Sequence, residues 1–225
     1  IPYNGIHPDH HAWWIDPNNP NFIIEGNDGG IGMSRDRGQS WTFDEKLPVG
    51  QFYHINVDNE MPYNVMGGMQ DNGSWRGPAY TYTNGGIRNY YWENVGGGDG
   101  FDVMPDPDDN SWVYSMSQGG NVGKVNVKTG DEWFIKPPTV SLNTRLRFNW
   151  NSAIAQDPFD NGTIYYGSQF LHKSVNKGGS WETISPDLTM NNPEQQKLDE
   201  TGGLTLDITG AETYNTIITI AASAK

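Results

Sequence analysis

The sequence predicts an all-β fold, a β-propeller segment of about four four-stranded blades plus the first strand of a further one, and three observations predict it. Turn-forming and aromatic residues dominate, with 28 Gly, 14 Pro, 9 Trp and 11 Tyr against 18% charged residues, a balance that favours short strands and tight turns over helices. Short apolar runs alternate with Asn, Pro, Asp and Gly clusters along the chain. One eight-residue frame occurs twice, as SRDRGQSW over 34–41 and SVNKGGSW over 174–181, the sign of a repeated supersecondary unit.

The units follow in order. The first, over 7–50, holds HAWWIDP, FIIEGNDGG, IGMSRDRGQSW and TFDEKLP. The second, over 51–97, holds FYHINVD, YNVMGGMQDNG, SWRG and YYWENV. GFDVMPDP, SWVYSMSQGG, VGKVNV and DEWFIKP make the third, over 98–140, and NSAIAQDP, TIYYGSQF, LHKSVNKGGSW and ETISPDL the fourth, over 147–190. Turn aspartates at Asp16, Asp58, Asp106 and Asp157 keep the register, at spacings from the low forties to about fifty residues that suit a four-stranded blade. Residues 190–210 read as a loop with a short helical turn, and 211–225 as a partial blade whose strand is YNTIITIAAS, 214–223. The expectation is one propeller segment over 1–225 belonging to a longer chain; the alternative is a four-bladed ring closed by the last strand.

Bulk properties exclude several classes. A net charge of −13 and a pI near 4.6 repel phosphate backbones, which argues against a nucleic-acid partner. Without cysteine there is neither a disulfide framework nor a thiolate zinc site. No apolar stretch is long enough for a membrane helix, and the opening at Ile1 reads as a mature or truncated piece.

The repeated frame is expected to be a structural turn between the third and fourth strands. Gly38 and Gly178 supply a residue tolerant of positive φ, while Asp36 and Asn176 accept hydrogen bonds from turn amides. Asn replaces Asp because the task is accepting bonds, not ionising. Trp41 and Trp181 pack beside the turn, and Ser34 and Ser174 open it.

These residues carry a resemblance. Ser34 to Trp41 and Ser174 to Trp181 resemble Asp-box (BNR) repeats, and DPNNPNFIIEGNDGGIGMSRDRGQSW is similar to blades of sortilin-like and xyloglucanase-like propellers. DHHAWWIDPNNP, GGMQDNGSWRGP, RFNWNSAIAQDP and SWETISPDLT resemble bacterial secreted proteins of the sortilin-like or BNR glycosyl-hydrolase type. The resemblance implies a secreted or cell-envelope setting and a glycan or protein ligand. The frame has drifted to TNGGIRNYYW in the second unit and VKTGDEW in the third, and the arginine triad, Tyr and Glu of a sialidase are not identifiable.

Propeller topology places the loops before each first strand and after each second strand on one end, where side chains from several blades converge. The ligand-binding candidates there are His11, Tyr53, His54, Gln70, Arg147, Asn149, Trp150 and Asn151, accompanied by Asp102, Gln118, Gln169 and Glu212. Glycoside hydrolysis would draw its two carboxyl groups from Asp28, Asp71 and Asp99, with Trp150 and Tyr53 as sugar-stacking faces; the resemblance matches Asp28 to a catalytic aspartate of xyloglucanase-like propellers. HPDHH invites a transition metal, and the GNDGG and GGGDG loops calcium or another divalent cation, though neither has a diagnostic ligand spacing. Three readings follow: a module binding a glycan, peptide or protein partner through the polar end, a glycoside hydrolase using its carboxylates, and a structural subunit of a larger envelope assembly.

Overall fold

The computed structural model describes residues 5–44, 47, 49–197 and 213–225. It is all-β, with four four-stranded antiparallel sheets, each ordered as the chain runs. The fold is that of a β-propeller segment. The chain divides into two compact units, 1–51 and 52–225. The first holds one sheet: β1 (His10–Ile15), β2 (Ile23–Asn27), β3 (Gly30–Ser34) and β4 (Thr42–Asp44).

The second unit holds three. Its first sheet is β5 (His54–Val57), β6 (Asn64–Met69), β7 (Gly73–Pro78) and β8 (Glu93–Gly96). Next come β9 (Gly100–Pro105), β10 (Trp112–Ser117), β11 (Asn121–Asn126) and β12 (Glu132–Phe134). The last is β13 (Ile154–Gln156), β14 (Ile164–Gly167), β15 (Leu171–Ser174) and β16 (Glu182–Thr183).

Period-two patterning buries one set of side chains per sheet face, and successive sheets of the second unit share those faces. Met66, Val95, Val103 and Val113 close the β5–β8 sheet onto the β9–β12 sheet. Phe101, Tyr114, Met116, Phe148, Ile154 and Tyr166 do the same between the β9–β12 and β13–β16 sheets. At Gly68 the first two backbones approach closely: a Cβ there would lie 2.1 Å from the Gly100 carbonyl carbon and from the Phe101 nitrogen.

The four register aspartates share one job. Each carboxylate caps the backbone two residues on: Asp16 accepts from Asn18 N (2.8 Å), Asp58 from Glu60 N (3.2 Å), Asp106 from Asp108 N (3.0 Å) and Asp157 from Phe159 N (2.8 Å). In the second unit the two buried ones also meet cations from the third strand of their own sheet, Arg76 on β7 with Asp58 at 3.1 Å and Lys124 on β11 with Asp106 at 3.0 Å.

The two copies of the repeated frame form nearly the same bonds. Gly38 N donates to Ser34 Oγ (2.8 Å) and Ser40 N to Asp36 Oδ1 (2.8 Å); Gly178 N donates to Ser174 Oγ (2.9 Å) and Ser180 N to Asn176 Oδ1 (2.8 Å). Gly38 and Gly178 sit at φ 82° and 89°, after Arg37 and Lys177 at 61° and 59°. Where Asp36 accepts from the Ser40 hydroxyl at 2.6 Å, the Asn176 amide donates to Ser180 Oγ at 3.0 Å, so polarity reverses while the bond stays. The Ser40 hydroxyl and amide, with Ser34, hold the Asp36 carboxyl down to about 2. Trp41 covers Gly38, and the Trp181 indole donates to Ile135 O at 2.7 Å.

Two features of the last sheet differ from or extend the sequence reading. A strand over 214–223 is not formed: residues 213–225 carry no strand, and a strand needs a paired neighbour that is absent among the described residues. Ile217 instead donates one backbone bond to Ser168 O at 2.7 Å and packs on Gly167. The helical turn expected in the 190–210 loop is a 3-10 turn at Pro193–Gln196, capped by Asn192. His172 on β15 is 1% exposed between Ser168 Oγ (2.8 Å) and Thr183 Oγ1 (3.1 Å).

Burial lowers the His172 imidazole to about 4. A histidine held neutral in the fold contributes stability that is complete above the unfolded value near 6.5 and is lost as pH falls from there toward about 4, approaching about 3 kcal/mol. NMR of the folded protein should find this ring still neutral at pH 5; titration near 6.5 would contradict the assignment.

Candidate functional site

At the end of the second unit where β6 turns into β7, three sheets converge on Asp99. This residue ends the VGGGD run, whose Gly98, at φ 74°, lets the chain turn into β9. Asp99 Oδ1 accepts the backbone N–H of Asp71, from the β6–β7 turn, at 2.9 Å. Its Oδ2 accepts the Trp150 indole N–H, from the approach to β13, at 3.0 Å. Its own N–H donates to Gln118 Oε1, in the β10–β11 turn, at 3.1 Å. Asp71 itself sits at φ 59°, a left-handed turn position that Asp tolerates.

Beside this junction lies an aromatic shelf. The Tyr53 ring stacks on Phe101 at 5.1 Å and 24°, and Trp150 meets the same Phe101 edge-on at 6.5 Å. The Tyr53 hydroxyl donates to Gln70 Oε1 at 2.5 Å, and 42% of the residue remains exposed. Partial burial, with the Asp99 and Asp71 carboxylates adding, raises the Tyr53 phenol above its ordinary value. Ring, hydroxyl and neighbouring acids are therefore fixed before any ligand arrives.

Of the predicted residues, Tyr53, Gln70, Asp71, Asp99 and Trp150 come together, with Gln118. His54, next to Tyr53, pairs instead with Asp102 on β9 at 2.8 Å. Arg147 is engaged elsewhere: its guanidinium donates to Asp187 Oδ2 (2.7 Å), Thr189 Oγ1 (3.2 Å) and Asn215 O (3.1 Å). Buried Gln169 brackets that segment, accepting from Arg147 N and donating to Arg145 O, so both residues position loops. Asn149 accepts from Thr213 N (3.3 Å) and lines an open cleft of about 800 Å³ with Leu188, Met190, Tyr214 and Ile218. Asn151 is half-buried, and Glu212 lies outside the described residues.

His11 and Asp28 belong to the first unit. His11 Nε2 lies 2.5 Å from Asp28 Oδ1, His10 Nδ1 lies 2.7 Å from Glu25 Oε2, and His7 Nδ1 lies 3.6 Å from Asp9 Oδ2. Each histidine of HPDHH thus faces a different carboxylate, which is a set of pairs and not one histidine-rich ligand sphere. In the GGGDG loop both Asp99 oxygens take N–H donors, as suits a carboxylate that joins loops more than one that ligates calcium.

Sequence reasoning missed two partners. Glu25 on β2 is 1% exposed, bound by His10 and by the Asn27 amide at 2.7 Å, in space left by the absent side chain of Gly32. An acid inside the apolar run FIIEGN was its signal. Phe101 reads as an ordinary core residue, and only the tertiary structure sets it under Tyr53.

No family profile matches this chain, and no curated protein matches it. Among solved structures it is similar to an ancestral GH74 enzyme (15% identity, TM-score 0.45, 81% of this chain and 25% of that one). It is also similar to the GH74 xyloglucanase from Xanthomonas campestris (16%, 0.41, 80% and 30%) and to the Cps50 (Swd1) β-propeller domain of Myceliophteria thermophila (10%, 0.46, 82% and 59%). The chain spans between a quarter and about three fifths of the length of these structures. Among the described residues no helix is long and apolar enough to cross a membrane.

Proposed function

We propose that residues 1–225 form one β-propeller segment that binds a glycan at the Tyr53–Gln70–Asp99–Trp150 end, in a secreted or cell-envelope protein. The observation that carries the reading is the Tyr53 platform: one ring face is backed by Phe101, the hydroxyl is tied to Gln70, and the residue stays substantially open. An aromatic face flanked by fixed amide and carboxylate groups matches a sugar, whose C–H face packs on the ring while its hydroxyls bond at the edge. The setting rests on the likeness of the two repeated turns to Asp-box repeats.

Binding is favoured over hydrolysis because hydrolysis needs one carboxyl group free to give a proton and a second free to attack or activate water. Asp99 has each oxygen engaged by an N–H donor. Tyr53→Ala is expected to weaken retention on the bound glycan about ten-fold, with the fold intact and no product released by wild type. Unchanged retention of that variant on every glycan of an array that wild type binds would remove this end as the site. Release of reducing sugar that Asp99→Asn abolishes would replace binding by catalysis.

A further inference from the structure

The connection between β7 and β8 leaves the opposite end of the same sheet, and it is unlike its counterparts. It runs fourteen residues, 79–92, where the β3–β4 and β15–β16 connections use seven each, 35–41 and 175–181. Its sequence, AYTYTNGGIRNYYW, contains four tyrosines, no Asp or Glu and one Arg, in a chain of net charge −13. Tyr82 is 85% exposed and Tyr90 69%, with Tyr80 and Ile87 also exposed. Tyrosine, glycine and asparagine in one loop is the composition of a recognition surface, since tyrosine offers large amphipathic area at low entropic cost.

This loop is built to hold its rings still. The Trp92 indole packs where a Gly77 side chain would stand and stacks on Phe52, anchoring the loop to the sheet. The Tyr91 hydroxyl donates to Thr83 Oγ1 at 2.8 Å, and Thr83 bonds Thr81 at 3.1 Å. Tyr80 meets Tyr82 edge-to-face at 5.0 Å, and Tyr90 meets Tyr91 at 4.4 Å. Gly85 and Gly86, at φ 100° and 76°, form the tip, with the Arg88 guanidinium folded against Gly85.

We infer that the 79–92 loop is a second carbohydrate-binding surface, for a neutral glycan, with Tyr82 and Tyr90 as the sugar-stacking faces. Neutrality follows from charge: a polyanion is repelled by the chain as a whole, and the lone Arg88 is no counterweight. The loop itself contains Thr, Asn and Arg side chains able to donate to sugar hydroxyls, and none of its residues is a carboxylate that would have to be desolvated. A protein partner would want a drier centre of about 800 Å² per side, whereas the large exposed side chains here, Ile87 apart, are tyrosines that carry hydroxyls.

Affinity electrophoresis of the whole chain tests this, through gels holding galactomannan, arabinoxylan, hydroxyethylcellulose or polygalacturonate. At least one neutral polysaccharide should retard wild type, and the Tyr82→Ala/Tyr90→Ala double variant should need about ten-fold more of it for equal retardation. Tyr53→Ala run on the same gels separates the two surfaces: retardation that falls in the double variant and persists in Tyr53→Ala belongs to this loop, and loss in Tyr53→Ala alone supports only the Tyr53 end. Both loop tyrosines are exposed, so circular dichroism should show the double variant folded. Retardation by polygalacturonate alone, by no gel, or equally in wild type and double variant overturns the inference.

Discussion

Gly68→Ala should lower the unfolding free energy by about 4 kcal/mol, read as a shift in urea midpoint at constant m-value. The added methyl would lie 2.1 Å from both Gly100 C and Phe101 N, and backbone atoms cannot rotate away as a flexible side chain does. Relief requires the β5–β8 and β9–β12 sheets to separate, which opens the Met66, Val95, Val103 and Val113 contact. Gly97, whose Cβ would meet nothing within 4 Å, serves as the control: Gly97→Ala should cost under about 1 kcal/mol. Equal effects for the two variants would refute the close-approach account.

A comparable loss, about 4 kcal/mol, is expected for Asp106→Ala. Asp106 is 1% exposed and accepts from Lys124 Nζ (3.0 Å) on its own sheet and Lys177 Nζ (2.6 Å) from the β15–β16 turn. Removing the carboxylate strands the Lys124 ammonium, 8% exposed and seated over the Trp112 ring, in surroundings that cannot hydrate it. Lys177 keeps Asp108 at 2.8 Å, so most of the effect should come through Lys124. Adding Lys124→Met to Asp106→Ala should then recover part of the loss, whereas strict additivity of the two substitutions would argue against a coupled buried pair.

How much of this was legible follows the range of each interaction. The strands, the capping aspartates and the Ser34–Trp41 and Ser174–Trp181 turns are local: alternation, turn residues and side-chain oxygens two to four residues from their amides act within a few positions of sequence. Exchange of Asp36 for Asn176 was readable too, because both side chains accept the same N–H. The candidate site was legible as a set of polar residues and no further. Gln70 and Trp150 were collected by topology alone, and the same argument collected Arg147, whose guanidinium is held by Asp187, Thr189 and Asn215.

By itself, then, the sequence determined an all-β chain of repeated four-stranded sheets, since strand period and turn chemistry are written residue by residue. Tertiary structure alone decided that Phe101 lies under Tyr53, that Asp99 joins the Asp71 backbone to the Trp150 indole, and that the 79–92 loop holds its tyrosines in two pairs with Tyr80, Tyr82 and Tyr90 exposed. Those contacts span up to about fifty residues, and whether two such distant side chains meet depends on the twist and spacing of whole sheets, which no local pattern encodes.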